Sequence, residues 1–330
     1  MTSPLALQIA REIRDHGPIS FERFMDLALY EPGLGYYRNG RDPFGCDGDY
    51  FTAEQLQPVF GEVMASFLES LAARHGALHR SFPVVELGAG RGEMAEALRD
   101  WDYLAVDMDR GALPGRVRGV ILANEFFDAL PVRLLESRRS GWQEMCVGEA
   151  DGRFCFVPRP LNTGGEGEEN AIDRQLLEYA ERYGKGFREG EQLEVSLRTR
   201  EWMNRLGETL ESGYLVVIDY GYIAKELLRL RHGTAASYRS HQVVEDILSG
   251  PGEQDITVHV NFTYLTEAAV HAGFRRILRQ PLAKWAMSVW NEQELAWRWK
   301  EKRAGWRLQW KQLVYGMGET FQVVVFETAA

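Results

Sequence analysis

The N-terminal part of the chain combines helical patterns with one long polar stretch. Apolar residues recur at helical spacing over 5–13 and again over 21–28, and a Gly-Pro pair separates the two runs. Residues 31–52 are rich in Gly, Pro, Asp and Tyr, which predicts an irregular loop, and the apolar spacing over 60–71 predicts a long helix. We therefore expect residues 1–82 to form an N-terminal helical cap with a loop.

From residue 83 onwards the hydrophobic pattern changes to short apolar runs. Four such runs are apolar over most of their length, as expected of parallel strands that are covered on both faces. A helical pattern over 93–101 joins the first run to the second, and a further apolar run over 321–326 is expected to pair as an antiparallel last strand. The pattern thus predicts an α/β fold with a mostly parallel sheet. The four parallel runs are 84–87, 103–107, 120–123 and 214–219.

An insertion separates the third of these runs from the fourth. Hairpin patterns around Gly141 and Gly152 are followed by two helical patterns. We expect residues 83–330 to form one Rossmann-like domain that carries an inserted subdomain at about 131–213. The two helical patterns cover 172–183 and 198–211.

Charge and composition exclude several classes of protein. The 330 residues are 45% hydrophobic and 26% charged with a net charge of -10, which is typical of a globular protein and argues against nucleic acid as the main partner. The stretch from Trp285 to Trp310 combines aromatic and basic residues, a pattern that also occurs where nucleic-acid bases stack. Its helical spacing favours an amphipathic cover over the core instead.

The cysteines and the apolar runs indicate the cellular setting. Cys46, Cys146 and Cys155 are odd in number and lack metal-ligand spacing, so we expect free thiols, a reducing compartment and no metal site. The N-terminus lacks the pattern of a targeting peptide, and no apolar run approaches the ~20 residues that cross a bilayer. We therefore predict a cytoplasmic protein without membrane insertion.

The segment Glu86-Leu87-Gly88-Ala89-Gly90-Arg91-Gly92 lies directly between the first predicted strand and its helix. Glycines permit a tight turn and the close approach of a ligand, and the helix N-terminus presents free N–H groups. Such a turn can hold the pyrophosphate of a dinucleotide or the methionyl and ribose parts of S-adenosylmethionine. The spacing departs from G-x-G-x-x-G, because position 93 is Glu, and this favours the methyl donor. A purely structural turn is the third interpretation.

Candidate cofactor ligands lie at the ends of neighbouring strands. Asp107 ends the second strand about 20 residues after Glu86, where a carboxylate can accept both ribose hydroxyls, and Asp109 competes for that role. Asn124 ends the third strand. The predicted cofactor-binding residues are therefore Glu86, Gly88, Ala89, Gly90, Gly92, Asp107, Asp109 and Asn124.

The segment Asn124-Glu125-Phe126-Phe127-Asp128-Ala129-Leu130-Pro131 follows the third strand, at the edge of an open α/β sheet that faces the ligand crevice. Carboxylates bind a guanidinium in bidentate geometry and aromatic faces attract it, so Glu125 and Asp128 are candidates to orient an acceptor arginine. The alternative interpretation makes Glu125 a charge at the start of a helix and places Phe126 and Phe127 in the core.

A second polar segment, Asp255-Ile256-Thr257-Val258-His259-Val260-Asn261-Phe262, alternates in the manner of a strand. The alternation predicts that its polar side chains share one face, where they can contact a ligand. A solvated edge strand with a hydrogen-bonded His259 explains the same pattern equally well. The polar side chains are Asp255, Thr257, His259 and Asn261.

Taken in order along the chain, these motifs resemble the MidA-type methyltransferase family, bacterial proteins related to a mitochondrial complex I assembly factor. The resemblance extends over nearly the whole length, and many separated motifs in one order are improbable by chance. The segments that carry it are Ile19-Ser20-Phe21 through Met25, Ala28-Leu29-Tyr30, Gly35-Tyr36-Tyr37, Gly48-Asp49-Tyr50-Phe51-Thr52, Val59-Phe60-Gly61, Glu86 to Gly92, Asn124 to Val132, Ile218-Asp219-Tyr220-Gly221, Gly233-Thr234 with Tyr238-Arg239, Asp255 to Phe262, and Met317-Gly318-Glu319.

The resemblance implies a class I methyltransferase sheet of seven strands with an N-terminal helical cap, S-adenosyl-L-methionine as cofactor, S-adenosyl-L-homocysteine as product, and a protein arginine as acceptor. It also implies a respiratory complex subunit as partner, because the target of the mitochondrial relative is a core subunit of complex I. The chain departs from the family at three places. Only Arg110 to Arg118 stand where the family has a helix and a strand, Asn261 replaces an Asp, and Ala53-Glu54-Gln55 replaces Ser-Pro-Glu.

We predict direct transfer of the methyl group to an arginine nitrogen of a protein, with positioning supplying most of the acceleration. Glu125 and Asp128 are the first candidates for catalysis, and Asp255 and His259 are the second. A small-molecule methyltransferase and an assembly chaperone that keeps the fold with weak catalysis are the alternatives. Substrate binding is predicted for Tyr36, Thr52, Phe126, Phe127 and Asn261.

Overall fold

The computed structural model describes residues 3–41, 53, 56–78, 81–164, 166–239 and 242–329. The chain forms two compact units, and each unit is assembled from three separate segments. The predicted boundaries, 1–82 and 83–330 with an insertion at about 131–213, concern domains along the chain and stay a prediction. The first unit comprises Met1–Tyr50, Ala129–Arg198 and Tyr222–Asn261, and the second comprises Phe51–Asp128, Thr199–Gly221 and Phe262–Ala330.

Local sequence signals set the starts of the first helices. Ser3 caps one helix by accepting the N–H of Ala6, and Ser20 caps the next by accepting the N–H of Arg23. The α-helices of the described residues are α1 Pro4–His16, α2 Phe21–Tyr30, α3 Val59–Arg74, α4 Met94–Ala97, α5 Glu168–Tyr183, α6 Leu197–Thr209, α7 Phe262–His271, α8 Leu282–Val289, α9 Glu292–Glu301 and α10 Ala304–Lys311. The strands are β1 Ile19–Ser20, β2 Val84–Leu87, β3 Tyr103–Val106, β4 Val117–Asn124, β5 Arg133–Arg138, β6 Gly141–Ala150, β7 Arg153–Pro160, β8 Gln192–Val195, β9 Leu210–Tyr222, β10 Ala236–Arg239, β11 Gln242–Val244, β12 Asp255–Thr257, β13 Val260–Asn261, β14 Phe274–Pro281 and β15 Phe321–Thr328.

One sheet organises the second unit, with the strand order β14-β15-β9-β4-β2-β3. Strands β2, β3, β4 and β9 run parallel to one another, whereas β15 lies antiparallel between β9 and β14. The register aligns Val84 of β2 with Tyr103 on one side and with Val120 on the other. The predicted Rossmann-like fold, a mostly parallel sheet with an antiparallel last strand, is confirmed.

Helices α3, α8 and α10 contribute their apolar faces to the core of the second unit. The buried rings of Trp290, Trp306 and Trp310 stack on one another, with centroids 5.5 to 6.1 Å apart. The prediction that the tryptophan-rich stretch covers the core is confirmed for these residues. Trp297 and Trp299 of α9 are exposed.

An antiparallel sheet of order β1-β6-β5-β8, with β7 also paired to β6, organises the first unit. The hairpins predicted around Gly141 and Gly152 join β5 to β6 and β6 to β7. Helices α1 and α2 share a core with this sheet, and the ring of Phe24 meets that of Phe154 at 5.6 Å. A smaller antiparallel sheet of order β11-β10-β12 belongs to the same unit.

The helix predicted over 93–101 is wrong in length, because α4 spans only Met94–Ala97. Leu98 and Trp101 follow it in tight turns and are buried, so the chain leaves the helix early to bury both side chains before it enters β3. Full coverage is also wrong for β3, whose Leu104 is 37% exposed. Strand β3 is the sheet edge, because the short segment between it and β4 supplies no further strand.

The polar segment 255–262 does not form a single strand. Strand β12 ends at Thr257 because its partner β10 begins at Ala236, the residue opposite. The chain leaves the ladder at Val258 and His259 and resumes as β13. The predicted single polar face is therefore wrong. The solvated edge strand is also wrong, since Asp255, Thr257 and Asn261 are all buried.

None of the described helices is long and apolar enough to cross a membrane. In the same residues, no group of three or more His, Cys, Asp or Glu side chains is placed to hold a metal ion. Cys146 and Cys155 are free thiols, and Cys46 lies outside the described residues. Burial raises the pKa of Cys146 to about 11, so this thiol stays protonated at neutral pH.

Candidate active site

The glycine turn forms a tight bend between β2 and α4. Gly88, Gly90 and Gly92 have positive φ angles of 66°, 47° and 82°, which residues with a Cβ rarely adopt. The N–H groups of Gly88 and Ala89 donate to the carbonyl oxygen of Val106 at 2.9 and 3.3 Å, which ties the turn to the end of β3. A Cβ at Gly88 would lie 3.1 Å from the ring of Phe126, so backbone and ring are in close contact.

Asp107 follows β3 and lies against the glycine turn. Its Oδ2 accepts the N–H of Gly90 at 2.7 Å, and its Oδ1 accepts the N–H of Met108 at 2.7 Å. An ionised carboxylate has about four acceptor positions, so both oxygens can accept further donors such as ribose hydroxyls. Asp109 is exposed. The ribose role of either residue stays a prediction, and Asp107 contacts the turn directly through Gly90.

Arg110, which follows β3, contacts the turn, and the sequence did not single it out. Its guanidinium donates to the carbonyl oxygen of Gly90 at 3.1 Å and to those of Ala89 and Arg91 at 3.4 Å. A Cβ at Gly92 would lie 3.3 Å from the same guanidinium. Arg110 therefore holds the carbonyl groups of the turn by hydrogen bonds. In the sequence, only its position shortly after Asp107 could have indicated this contact.

Two buried polar side chains lie at the strand ends beside the turn. Glu86 of β2 is fully buried and accepts a hydrogen bond from the hydroxyl of Tyr103 on β3. Asn124 at the end of β4 donates its amide to Glu125, but its Oδ1 is buried without a hydrogen-bond partner among the described residues. An unsatisfied buried acceptor costs about 1–3 kcal/mol, so Asn124 Oδ1 marks a place where the donor group of a ligand fits.

Glu125 occupies a strained backbone position directly after β4. Its φ angle is +48°, a left-handed conformation that is uncommon outside glycine and that clusters at functional sites. Its Oε1 accepts the N–H of Ala53 at 2.9 Å, and its own N–H donates to the carbonyl oxygen of Ile218 at 2.8 Å. The carboxylate is thus anchored at the carboxyl end of the sheet.

Asp219 of β9 joins Glu125 and Asp128 in a cluster of three carboxylates, and the sequence did not predict this role. It is fully buried, and its Oδ2 accepts the N–H groups of Phe127 at 3.0 Å and Asp128 at 3.3 Å. Burial raises the pKa of Asp219 well above its usual range, and the charges of Asp128 and Glu125 raise it further. The sequence feature that could have indicated this role is the position of Asp219 in the segment 218–221, which resembles the methyltransferase family.

The two phenylalanines of this segment have different surroundings. Phe127 is buried, in agreement with the core interpretation, whereas Phe126 is only partly buried. The ring of Phe126 meets that of Trp202 edge-on at 4.9 Å, and the guanidinium of Arg205 lies over Trp202 at 4.9 Å. Of the two, Phe126 is the better placed to contact a ligand at the glycine turn.

Asp255 and Tyr36, both predicted site residues, lie together in the first unit. The hydroxyl of Tyr37 donates to Asp255 Oδ1 at 2.7 Å, and the rings of Tyr36 and Tyr37 meet edge-on at 5.1 Å. Tyr36 and Asp255 are buried. Thr52, a further predicted substrate residue, lies outside the described residues.

His259 and Asn261 also belong to the first unit. The N–H of His259 donates to the hydroxyl of Thr234 at 3.1 Å, and burial lowers the pKa of the His259 imidazole. The amide of Asn261 donates to the hydroxyl of Tyr179 at 2.9 Å. The four predicted catalytic residues therefore divide between the units: Glu125 and Asp128 in the second, Asp255 and His259 in the first.

Comparison with known proteins identifies the family to which the chain belongs. A family model described as an S-adenosyl-L-methionine-dependent methyltransferase matches residues 99–278, more than half of the chain. The chain belongs to this methyltransferase family. Its members use S-adenosyl-L-methionine as cofactor, which agrees with the predicted function of the glycine turn.

Relatives of this methyltransferase cover most of its length. The mitochondrial protein arginine methyltransferase NDUFAF7 homolog of Drosophila melanogaster is 26% identical over 82% of this chain and 70% of its own, and the NDUFAF7 protein of Bos taurus is 26% identical over 80% and 68%. A crystal structure from Burkholderia thailandensis with bound S-adenosyl-homocysteine is 29% identical, with a TM-score of 0.85 over 98% of this chain and 91% of that one. A native crystal structure from the same organism is 27% identical with a TM-score of 0.82.

The described residues fit the cofactor of this methyltransferase family. The glycines permit the positive φ angles of the tight bend, and Asp107 retains acceptor capacity beside the turn. The buried Oδ1 of Asn124 has no hydrogen-bond partner among the described residues and can accept a donor group of the cofactor. These observations support S-adenosyl-L-methionine at this edge of the sheet.

Proposed function

We propose that this methyltransferase transfers the methyl group to a nitrogen of an arginine side chain in a protein. The observation that carries the proposal is the carboxylate cluster of Glu125, Asp128 and Asp219, which belongs to the same unit as the glycine turn. Carboxylates are the partners that bind a guanidinium in bidentate geometry. The curated relatives named above as protein arginine methyltransferases support the same acceptor.

An arginine acceptor must lose a proton in this reaction. The guanidinium has a pKa above ~12 and arrives as a cation. A nitrogen forms the new bond to carbon while the bond from carbon to sulfur breaks, and the methylated product keeps one positive charge, so one proton leaves. In the proposal, Asp128 accepts this proton as a carboxylate of the cluster, close enough to the buried Asp219 for its charge to raise the pKa of that carboxyl.

Glu125 orients the guanidinium in this proposal. The N–H of Ala53 and the amide of Asn124 both donate to its Oε1, so the carboxylate is held in place and presents a fixed charge. The remaining candidates are Asp255 and His259. His259 is neutral at pH 7 because burial lowers its pKa, and it can accept a proton in that form.

S-adenosyl-L-methionine supplies the methyl group when it is bound. In the proposal, the turn 88–92 would hold the methionyl and ribose parts, Asp107 would accept the ribose hydroxyls, and Asn124 Oδ1 would accept a donor group. The ring of Phe126 closes the space above Gly88 and limits the positions that the ligand can take. Positioning of this kind contributes up to ~7–11 kcal/mol in well-oriented reactions.

The test is to incubate the purified protein with radiolabelled S-adenosyl-L-methionine and a bacterial cell lysate. The proposal expects label in protein, recovered as methylarginine after acid hydrolysis. Label in small molecules would instead identify a small-molecule methyltransferase. Absence of label, with no calorimetric binding of either S-adenosyl-L-methionine or S-adenosyl-L-homocysteine, would identify an assembly chaperone.

We further infer that the acceptor protein is a respiratory complex subunit and that the reaction takes place in the cytoplasm. The first inference depends on the family resemblance and the second on the sequence. Label that co-purifies with a respiratory complex is the expected result. Label confined to unrelated proteins would contradict the inference about the acceptor but not the arginine chemistry.

A further inference from the structure

Glu194 of β8 lies at the centre of a buried polar cluster in the first unit. Its side chain is 3% exposed, and its Oε1 accepts the N–H groups of Thr234 and of Ala235, the latter at 2.9 Å. The hydroxyl of Thr234 also approaches this carboxylate. The second oxygen, Oε2, is buried and has no hydrogen-bond partner among the described residues. One half of this carboxylate is thus held by the protein, and the other half faces no donor.

A purely structural role for Glu194 explains why Oε1 is held by backbone N–H groups, but not why Oε2 has no donor. A Cβ at Gly233 would lie 2.8 Å from Glu194 Oε1, and Gly233 has a φ angle of +85°, so this turn closes tightly on that oxygen. This contact between the turn and the side chain needs one acceptor atom, which the Oε1 of a glutamine would also supply. A buried oxygen without a donor is costly, and burial accordingly raises the pKa of Glu194. The burial of Oε2 without a donor therefore requires an explanation other than the contact with this turn.

Tyr222 lies near the same carboxylate and connects it to further aromatic side chains. Tyr222 is 3% exposed, and its pKa is raised by burial and then by the charge of Glu194, while a hydrogen bond with Tyr179 lowers it in part. The hydroxyl of Tyr179 also accepts the amide of Asn261 at 2.9 Å, and the rings of Tyr179 and Tyr183 lie 4.6 Å apart. This network includes Asn261, for which substrate binding was predicted.

The chemistry of this cluster selects a flat cation. A carboxylate oxygen without a donor attracts a positive charge, and tyrosine rings attract a delocalised cation at their faces. A guanidinium combines planar N–H donors with weak hydration, so it is easier to bury than an ammonium group. Gly233 and Thr234 are partly exposed, so the covering turn lies at the surface.

We propose that Glu194, Tyr179 and Tyr222 form a binding site for the guanidinium of an arginine side chain of the acceptor protein. The inference that this arginine belongs to the acceptor rests on the proposed function. The binding of a guanidinium at Glu194 does not, and it can be measured without any methyl transfer.

The experiment titrates the whole protein, saturated with S-adenosyl-L-homocysteine, with N-acetyl-L-arginine N-methylamide in a calorimeter. The matching citrulline amide, which has the same shape without the charge, and the lysine amide are titrated in parallel. We expect the arginine compound to bind best, and Glu194→Gln to weaken its binding about tenfold or more, because a hydrogen bond to a charged group is lost. Equal binding of arginine and citrulline compounds would overturn the proposal.

Glu136→Gln is the matched control, because it is the same substitution at a buried glutamate of the neighbouring strand β5. The carboxylate of Glu136 pairs with Arg138. Arginine binding should be unchanged in this variant. S-adenosyl-L-homocysteine binding reports whether each variant folds. If Glu194→Gln does not fold, Tyr222→Phe replaces it and should weaken arginine binding while leaving S-adenosyl-L-homocysteine binding intact.

The two proposals fail separately. Arginine binding that depends on Glu194 without methylarginine formation would contradict the proposed function and leave this site standing. Methylarginine formation with a KM for protein substrate that Glu194→Gln does not raise would contradict this site and leave the proposed function standing.

Discussion

The two units hold their buried carboxylates in different ways. In the first unit, Glu144 and Asp173 are fully buried, and the guanidinium of Arg159 binds both, at 2.6 Å from Asp173 Oδ1. In the second unit, Asp219 is equally buried but accepts backbone N–H groups, and the charges that raise its pKa are other carboxylates. A salt bridge neutralises a carboxylate, whereas backbone N–H groups fix its position without adding a compensating positive charge.

We infer from this difference that the kind of partner, more than burial, separates the carboxylates that hold the fold together from those proposed to act on a substrate. Glu144 has a second guanidinium partner, Arg133, at 2.8 Å, so its charge is fully used within the fold. Glu194 belongs to the first unit but resembles Asp219, because backbone N–H groups hold one of its oxygens. By this criterion Glu194 is grouped with the carboxylates for which a function is proposed.

The largest expected effect comes from breaking the arginine network of the first unit. Arg159→Met leaves Asp173 buried without its guanidinium partner and should lower the free energy of unfolding by about 3 kcal/mol. The measurement is denaturant unfolding followed by circular dichroism. Arg99→Met is the control, since Arg99 and Glu96 form an exposed pair and the substitution should change little. Equal losses of unfolding free energy in both variants would show that the buried Arg159 network stabilises the fold no more than the exposed Arg99–Glu96 pair.

The second prediction concerns catalysis in the carboxylate cluster of the second unit. Asp128→Asn should lower kcat about 100-fold, because the variant cannot accept the proton that leaves the guanidinium. S-adenosyl-L-homocysteine affinity, measured by calorimetry, should stay unchanged. Asp255→Asn is the comparison and should cost less. Activity that is lost in Asp255→Ala but retained in both Asp128→Asn and Glu125→Gln would reverse the assignment.

The third prediction tests whether Asp107, another carboxylate held by backbone N–H groups, binds the cofactor. Asp107→Asn should weaken S-adenosyl-L-homocysteine binding about tenfold, since charged hydrogen bonds to the ribose and to Gly90 are weakened. Calorimetry gives the dissociation constant directly. Asp109→Asn is the matched control on an exposed residue, and a larger effect there would transfer the ribose role to Asp109.

The smallest effect is the pH dependence of stability that Asp219 introduces. Its raised pKa means that the folded protein favours the protonated carboxyl, so this contribution is fully present below the ordinary Asp pKa near 4. It is lost as the pH rises through the raised value. Asp219→Asn should therefore gain stability relative to the unmodified protein as pH rises, measured by unfolding at several pH values. A gain on acidification would contradict the assigned direction.

The parts of the fold that the sequence predicted depend on local patterns. The strands around Val84, Val120 and Leu215 are short apolar runs, and the turn at Gly88 to Gly92 is a contiguous motif. Asp107 could be placed beside Gly90 because neighbouring parallel strands end at the same edge of a sheet. Each of these inferences needs only a few consecutive residues.

The remaining site residues depend on contacts between distant segments. Asp219 is held by N–H groups of the segment that begins at Asn124, and Glu194 is held by Thr234. Nothing in the apolar pattern of either strand indicates these partners. The break after Thr257 has the same origin, because the length of β12 is set by its partner β10.

The distribution of indole rings decides which spectroscopic signal reports on which unit. Trp142 is the single tryptophan in the segments of the first unit, so intrinsic emission mainly follows melting of the second. The stacked rings of Trp290, Trp306 and Trp310 are close enough for exciton coupling, which produces a circular dichroism couplet that disappears when α8 and α10 separate. Opening of the first unit alone would leave both signals nearly constant.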